Sequence, residues 1–296
     1  MPAQVIVLVF LVTLSFLTSV KANEFELGRW QVESAPFEVS LVFKAKKDKR
    51  IKFFQRAGSP LQFRLYSPVI LADSHQVEIY SVGSPLLENS ERELLSAKKK
   101  LPVGESVYKQ RVIYSDKNVK KILGSLIEGK WLEVDVLSKS RVVQTLIIPA
   151  VDFKQTSIEF NSLRNTLPPI GWGTAQSIDL RFDVGQSGLS DSHERLLDHL
   201  IQFLNYDETV TSVTIDGHSD VNGQRLSNLT LSGQRSKQVE GYLLAKGLNQ
   251  KLLKAVRQHG QRYPLAGMPD DMNRRVEIRL SRSVLPAKET LGDAVK

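Results

Sequence analysis

The spacing of apolar residues changes once along the chain, near Pro168–Gly173. Before that stretch, short segments such as Phe37–Phe43, Leu61–Tyr66 and Trp131–Val136 alternate apolar and polar residues. This two-residue period is typical of strands with one buried face. After it, strand-like segments alternate with segments of helical period. The change predicts two domains of an α+β protein, the first rich in antiparallel β-structure and the second mixed.

The first domain is predicted to span residues 23–168 as an antiparallel β-rich sandwich or barrel. Turn-forming residues at Gly58–Pro60 and Gly83–Pro85 separate its strands, and helical spacing predicts one helix at Val119–Gly129. An outer-membrane barrel is excluded, because Lys44–Arg50 and Ile51–Arg56 would place charge where an apolar lipid-facing band belongs.

The second domain is predicted to span residues 169–296. The order β-α-β-α-(α)-β predicts one sheet with helices on one face. Ser190 or Asp191 is expected to begin the first helix, and Ser232 to cap the second. The expected strands are Ile178–Asp183, Thr211–Ile215 and Arg275–Leu280, and the expected short third helix contains Leu252, Leu253 and Val256.

The N-terminal segment resembles a secretory signal. Val5–Leu17 is an apolar run of thirteen residues, too short to span a bilayer as a helix, and Val20 and Ala22 supply the small residues of a cleavage site. Residues 1–22 are therefore predicted to be removed, leaving a periplasmic protein with no membrane span. An uncleaved membrane anchor is the alternative. The chain has no cysteine, which excludes a lipid-anchored N-terminus, thiol nucleophiles and disulfides.

The net charge of +8 is compatible with several kinds of partner. The sequence contains no zinc-finger pattern, no basic groove-binding helix and no aromatic platform interleaved with arginines, so nucleic acid is not an expected partner. The basic runs Lys44–Arg50 and Lys98–Lys100 have two interpretations, namely docking surfaces or solvated loop tips.

Three short motifs occur in the second domain. Ile215–Asp220 reads IDGHSD, Asn228–Arg235 reads NLTLSGQR, and Asn273–Ile278 reads NRRVEI. Together they resemble the OmpA-like peptidoglycan-binding family in order and spacing, over about 105 residues. The resemblance implies that Asp220 and Arg235, fifteen residues apart, bind the diaminopimelate of peptidoglycan. It further implies supporting roles for Ser219, Asn228, Arg274 and Arg275.

Diaminopimelate carries both an ammonium and a carboxylate, so its recognition requires one fixed anion and one fixed cation. Asp220 can accept from the ammonium, and the guanidinium of Arg235 can bind the carboxylate with two hydrogen bonds. Arg235 is expected in the first turn of its helix, where free N–H groups favour an anion. Alternatively, Asp220 and Arg235 pair with each other.

Enzymatic function is not expected. The five histidines lack metal-ligand clustering, and His218, Ser219 and Asp220 are adjacent in sequence, which does not suit a catalytic triad. We therefore predict a non-catalytic protein that needs no metal or cofactor.

The first domain is similar to the MotY family of the sodium-driven polar flagellar motor, through Ala35–Glu38, Phe53–Ala57, Ser125–Trp131 and Phe160–Asn161. This similarity implies docking on the flagellar basal body, a T ring built with a MotX-like partner, and indirect support of the stator complex. Members of that family carry a cysteine pair, and the matching places here hold Val39 and a residue near Thr166.

Two other functions remain open. The protein could be a general outer-envelope structural protein that tethers the wall without a motor role. It could also be a wall-associated hydrolase whose catalytic part is the first domain.

Overall fold

The computed structural model describes residues 28–44, 50–66, 75–84, 91–96, 99–100, 111–115, 117–138 and 140–283. The predicted signal peptide (residues 1–22), Lys98 and most of the basic run Lys44–Arg50 lie outside these ranges. Within the described ranges, no helix is both long and apolar enough to cross a membrane.

The first β-sheet is antiparallel and has the strand order β1-β2-β3-β4-β8. Its members are β1 (Arg29–Ala35), β2 (Glu38–Lys44), β3 (Arg50–Arg56), β4 (Gln62–Tyr66) and β8 (Arg111–Ser115). The second sheet is also antiparallel, with the order β10-β9-β5-β6 and β7 paired to β5. Its members are β5 (His75–Val82), β6 (Glu93–Leu94), β7 (Lys99–Lys100), β9 (Trp131–Ser138) and β10 (Arg141–Ile148).

Apolar side chains from both sheets form one core, together with helices α1 (Lys117–Ile127) and α2 (Phe153–Thr166). Trp30 lies in this core, with its ring edge-on to Phe153 at 4.7 Å and its Nε1 donating to the Pro149 carbonyl at 2.9 Å. The predicted antiparallel β-rich N-terminal region is confirmed, and its two sheets pack as a sandwich. The helix predicted at Val119–Gly129 is also confirmed, beginning two residues earlier.

The C-terminal sheet has the order β11-β14-β12-β13, in which only β12 and β13 are parallel. Its strands are β11 (Ser177–Arg181), β12 (Val210–His218), β13 (Leu253–Gly260) and β14 (Arg275–Arg282), and its helices are α3 (Trp172–Ala175), α4 (Asp191–Tyr206) and α5 (Arg225–Ala245). Ser190 caps α4 as predicted, accepting from the backbone N–H of His193.

Two predictions for this region differ from the structure. The expected short third helix is only a 3-10 turn, Gln250–Leu252, that contains Leu252. Leu253 and Val256 belong to strand β13, because their apolar spacing fits either structure and pairing with β12 favours the strand. Helix α5 begins at Arg225, so Ser232 lies about two turns inside it and does not cap it. The Ser232 hydroxyl instead donates to the Leu229 carbonyl at 2.8 Å.

Phe37 joins the two domains. It has a backbone φ of 65°, and strand β2 begins only at Glu38, so its side chain does not continue the alternation of that strand. Its ring lies 5.5 Å from Phe203 and 5.1 Å from Tyr206, both on α4. The N-terminal domain therefore inserts one aromatic ring against a helix of the C-terminal domain.

A groove of about 330 Å³ lies beside this contact, and Val39, Thr166 and Tyr206 are among its lining residues. The places at which the family resemblance puts a cysteine pair, Val39 and a residue near Thr166, thus lie at one groove, and Val39 is buried there.

Phe37→Ala is expected to destabilise the domain junction by about 2 kcal/mol, because a half-buried aromatic ring loses its contacts with α4. Differential scanning calorimetry should show the two domains unfolding less cooperatively. Ile158→Ala, at a side chain 59% exposed on α2, is the matched control and should leave the profile unchanged. Identical profiles for both variants would contradict this role.

Candidate functional site

The three sequence motifs meet at one end of the C-terminal sheet. Asp220 follows β12, Arg235 lies on α5, and Arg274 immediately precedes β14. Asp220 is 7% exposed and Arg235 is fully buried. The turn after β12, the middle of α5 and the start of β14 thus bring one carboxylate and two guanidinium groups together.

Arg235 is held by three main-chain carbonyls. Its Nε donates to Gln186 at 2.7 Å, Nη1 to His218 at 3.2 Å and Nη2 to Asp183 at 3.1 Å. Its guanidinium also lies 5.1 Å from the centre of the Phe182 ring. Burial, together with the neighbouring Arg274, lowers the pKa of Arg235 to about 10, so the group remains charged at neutral pH. Two of its five N–H groups have no hydrogen-bond partner among the residues that the structure describes.

The position of Arg235 differs from the expectation for a first-turn residue. It lies about three turns into α5, where backbone N–H groups are already used within the helix. Contact with an anion would therefore come from its side chain rather than from the helix terminus.

Asp220 pairs with Arg274 rather than with Arg235. Nη1 of Arg274 donates to Oδ2 of Asp220 at 2.9 Å, and Nε of Arg274 donates to the Phe182 carbonyl at 3.1 Å. Oδ1 of Asp220 has no hydrogen-bond partner among the described residues. The alternative in which Asp220 and Arg235 neutralise each other is therefore wrong, and one carboxylate oxygen remains available to a cation.

Asn228 and Ser219 shape the loop that carries Asp220. Nδ2 of Asn228 donates to the carbonyls of Asp220 at 3.2 Å and Asn222 at 2.9 Å, and to Oε1 of Gln261 at 3.0 Å. The Ser219 hydroxyl donates to the Asp220 carbonyl at 3.2 Å. Both side chains therefore position the backbone at Asp220 and do not reach its carboxylate.

Arg275 is separate from this site. Successive residues of a strand point to opposite faces, and Arg275 shares the helix-free face of the sheet with His218. Arg275 is 5% exposed, and its Nη1 has no hydrogen-bond partner in the described part of the chain. Arg275 therefore lies on the sheet face opposite α5, whereas Arg274 contacts Asp220, and a role of Arg275 in binding stays a prediction.

His218 is buried beside Arg275. Its ring is 5.0 Å from that of His259, and neither ring nitrogen has a partner among the described groups. Burial, followed by the charge of Arg275, lowers the pKa of His218 to about 4. The histidine side chain is thus neutral at physiological pH. Its backbone carbonyl accepts the hydrogen bond from Nη1 of Arg235.

Asp216 forms a structural cluster on the same sheet face. It is fully buried and accepts from Arg257 at 2.5 and 2.8 Å, from Arg279 at 2.7 Å and from His259 at 2.8 Å. Burial alone would raise the pKa of Asp216, but these hydrogen bonds hold it well below its ordinary range. Both oxygens of this carboxylate accept hydrogen bonds from side chains of the neighbouring strands β13 and β14, so Asp216 stabilises the sheet.

Sequence reasoning missed the residues that act through their backbone. Asp183 and Gln186 supply two of the carbonyls on Arg235, and Phe182 supplies the one on Arg274. Carbonyl groups leave no side-chain signature, so only proximity in the fold identifies this segment. Residues 182–186, which we call the cover loop, lie over Arg235. Among the described residues, no group of three or more histidine, cysteine or acidic side chains could hold a metal ion.

Comparison with known proteins covers the segment that contains this site. Residues 181–276 match the model of the OmpA family. The peptidoglycan-associated lipoprotein of Pseudomonas aeruginosa is 35% identical over 71 residues, which cover 23% of this chain and 42% of that protein. The match therefore spans less than half the length of that relative.

Two solved structures are also similar. The peptidoglycan-associated lipoprotein of Burkholderia pseudomallei has 24% identity over 35% of this chain and 89% of its own, with a TM-score of 0.32. The periplasmic domain of Helicobacter pylori MotB has 18% identity over 36% of this chain and 75% of its own, with a TM-score of 0.31.

Proposed function

We propose that this OmpA-family domain binds peptidoglycan and that the protein is a non-catalytic periplasmic anchor. The observation that carries the proposal is the grouping of Asp220, Arg235 and Arg274 inside the segment that matches the OmpA family. The name of the Pseudomonas aeruginosa relative, a peptidoglycan-associated lipoprotein, agrees with this ligand.

The ligand would be the zwitterionic end of a wall peptide. Its ammonium would donate to Oδ1 of Asp220, and its carboxylate would accept from the N–H groups of Arg235 that no carbonyl uses. Because Arg235 is fully buried beneath the cover loop, part of that loop must move before a carboxylate reaches the guanidinium. Arg274 would keep the Asp220 carboxylate in place throughout.

The N-terminal domain would then attach the anchor to its assembly. From the resemblance of its motifs, we propose docking on the flagellar basal body as part of a T ring with a MotX-like partner. Fixing such a ring to peptidoglycan would give the stator complex an immobile support. The alternative is a general envelope tether without a motor role, which the similarity to a peptidoglycan-associated lipoprotein favours.

Asp220→Asn is expected to weaken retention on isolated peptidoglycan about tenfold or more, because one charge-assisted hydrogen bond is worth about 1.5–3 kcal/mol. Pelleting of purified protein with peptidoglycan measures this. Asp179→Asn, the same change at an exposed residue of β11, is the control and should pellet like the wild type. Undiminished retention of Asp220→Asn would contradict the site.

Swimming of a deletion strain separates the motor role from the general tether. The motor role predicts that flagella are present but do not rotate. Normal swimming, together with retained peptidoglycan binding by the purified protein, would favour the tether. Release of muropeptides from peptidoglycan by the purified protein would contradict the non-catalytic assignment.

A further inference from the structure

The outward face of the first β-sheet carries a concentration of positive charge. Successive residues of a strand point to opposite faces, so every second residue of β1 to β4 lies on this face. The register sets these residues side by side: Lys44 opposes Arg50, Ser40 opposes Phe54, and Arg50 opposes Tyr66. The intervening residues, such as Phe53 and Phe63, point into the core. We call this surface the basic sheet face; its cations are Arg29, Lys44, Arg50, Lys52, Arg56 and Arg64.

Carboxylates on this face are too few to balance the cations. Glu33 pairs with Lys44 at 2.7 Å, and Glu38 pairs with Arg56 at 2.9 Å. Six cations against these two carboxylates leave a charge of +4 among the described residues of the face. That is half of the formal charge of the whole chain, +8, on one side of one sheet.

The centre of the face is held rigidly. The Arg64 guanidinium lies 3.6 Å from the centre of the Phe54 ring, and its Nε and Nη2 donate to Oε1 of Gln62 at 2.9 and 2.6 Å. Lys52 lies 5.1 Å from the same ring and 5.9 Å from that of Tyr66. Because cations stacked on aromatic rings are already held in place, they lose little further conformational entropy on binding, which suits them to recognition.

The chemistry of the face favours a protein surface over a lipid surface. Anchoring in a membrane interface draws on exposed apolar side chains that enter the acyl region, in addition to charge attraction to anionic lipids. Phe54 is only 5% exposed and Val42 is fully buried, and the described residues of this face include no exposed large apolar side chain. Arginine guanidinium groups match carboxylates in a bidentate geometry. A flat array of fixed cations is therefore complementary to a surface rich in aspartate and glutamate.

We propose that the basic sheet face is the docking surface of the N-terminal domain and that it binds an acidic protein surface of the assembly that the chain anchors. This inference rests on the proposed anchor function, for which it supplies the chemistry of the partner. The Lys44–Arg50 run, one candidate docking surface in the sequence, contributes its two end residues to the face.

The test uses the variant Arg50→Gln, Lys52→Gln, Arg64→Gln in the full mature chain. Lys120→Gln, Lys121→Gln, Lys154→Gln, at exposed positions of α1 and α2, is the control of equal net charge. Each protein is sedimented with isolated hook–basal bodies from a strain lacking the protein, and with peptidoglycan as a folding control. Binding to poly-L-glutamate and to phosphatidylglycerol vesicles is measured in parallel.

The basic-face variant should bind hook–basal bodies and poly-L-glutamate about tenfold more weakly than the control variant, and both should pellet with peptidoglycan. Added salt should weaken the wild-type interaction, as expected for exposed charges. Equal binding by the two variants would overturn the proposal. Vesicle binding by the wild type that the basic-face variant loses would also overturn it, in favour of a lipid surface.

The same experiment tests the motor role independently of the basic sheet face. If the wild type does not sediment with hook–basal bodies, the flagellar assignment is contradicted. The basic sheet face is still supported in that case if poly-L-glutamate binding is lost by its variant and kept by the control.

Discussion

Gly217→Ala is expected to destabilise the C-terminal domain by about 3 kcal/mol, near the upper end for an overpacked core. A Cβ atom at Gly217 would lie 2.1 Å from the carbonyl oxygen of Ser232 and 3.0 Å from its carbon. Both atoms belong to the backbone of α5, so the clash can be relieved only by moving the helix away from β12. Because Arg235 lies on the same helix, peptidoglycan binding should fall with stability.

Gly233→Ala is the matched comparison, one helix position from Ser232. Its added Cβ would also meet an atom at 2.1 Å, but that atom is Oε1 at the end of the Gln258 side chain, which can rotate away. Alanine also favours the helix by up to about 1 kcal/mol over glycine. Urea unfolding should therefore separate the two variants clearly. Equal losses of stability would show that the approach of α5 to β12 is not the constraint.

The second large effect is a loss of stability in acid, caused by His218. Its pKa is lowered to about 4, so between that value and the ordinary 6.5 the unfolded chain binds a proton that the folded chain does not. The stabilising contribution is present above the unfolded pKa and is lost as pH falls toward the folded one. From about pH 7 to about pH 4.5 the free energy of unfolding should fall by about 2 kcal/mol.

His218→Gln removes this titration, so its unfolding free energy should vary less over the same range. Hydrogen exchange of C-terminal peptides during urea unfolding reports this domain specifically. Asp216 does not affect the comparison above about pH 4. Because its pKa is lowered in the folded protein, its stabilising contribution to the free energy of unfolding is lost only below the ordinary pKa of aspartate, about 4. Parallel pH profiles for the wild type and His218→Gln would contradict the assignment.

The cover loop connects the site to the domain junction. It lies over Arg235 and leads to Ser190, the cap of α4, and α4 carries Phe203 against Phe37 of the other domain. Helix α4 therefore begins near the candidate site and contacts the N-terminal domain at its other end.

Much of the candidate site could be predicted from the sequence because its charged side chains lie in compact motifs. Asp220, Arg235 and Arg274 lie close together, since a strand–turn, a helix and a strand start of fixed order can bring them to one sheet end; their role in binding stays a prediction. The different positions of Arg274 and Arg275 have a local cause: adjacent strand residues face opposite ways, and the motif does not say which of two arginines faces Asp220.

The helix boundaries in this region were harder to predict. Ser232 resembles a cap, yet Arg225 begins the helix, because the residues between the two pack against β12 and β13 as helix. At Leu253–Gly260 the parallel pairing with β12 decides between helix and strand, and that partner lies about forty residues earlier in the chain.

The sequence alone determined the two-domain α+β organisation and the position of the charged motifs, because side-chain periodicity and turn chemistry are properties of neighbouring residues. The tertiary structure decided three further features: Asp220 pairs with Arg274, backbone carbonyls cover Arg235, and six cations share one sheet face. Each depends on strands and loops that are distant in the chain and that only packing brings together.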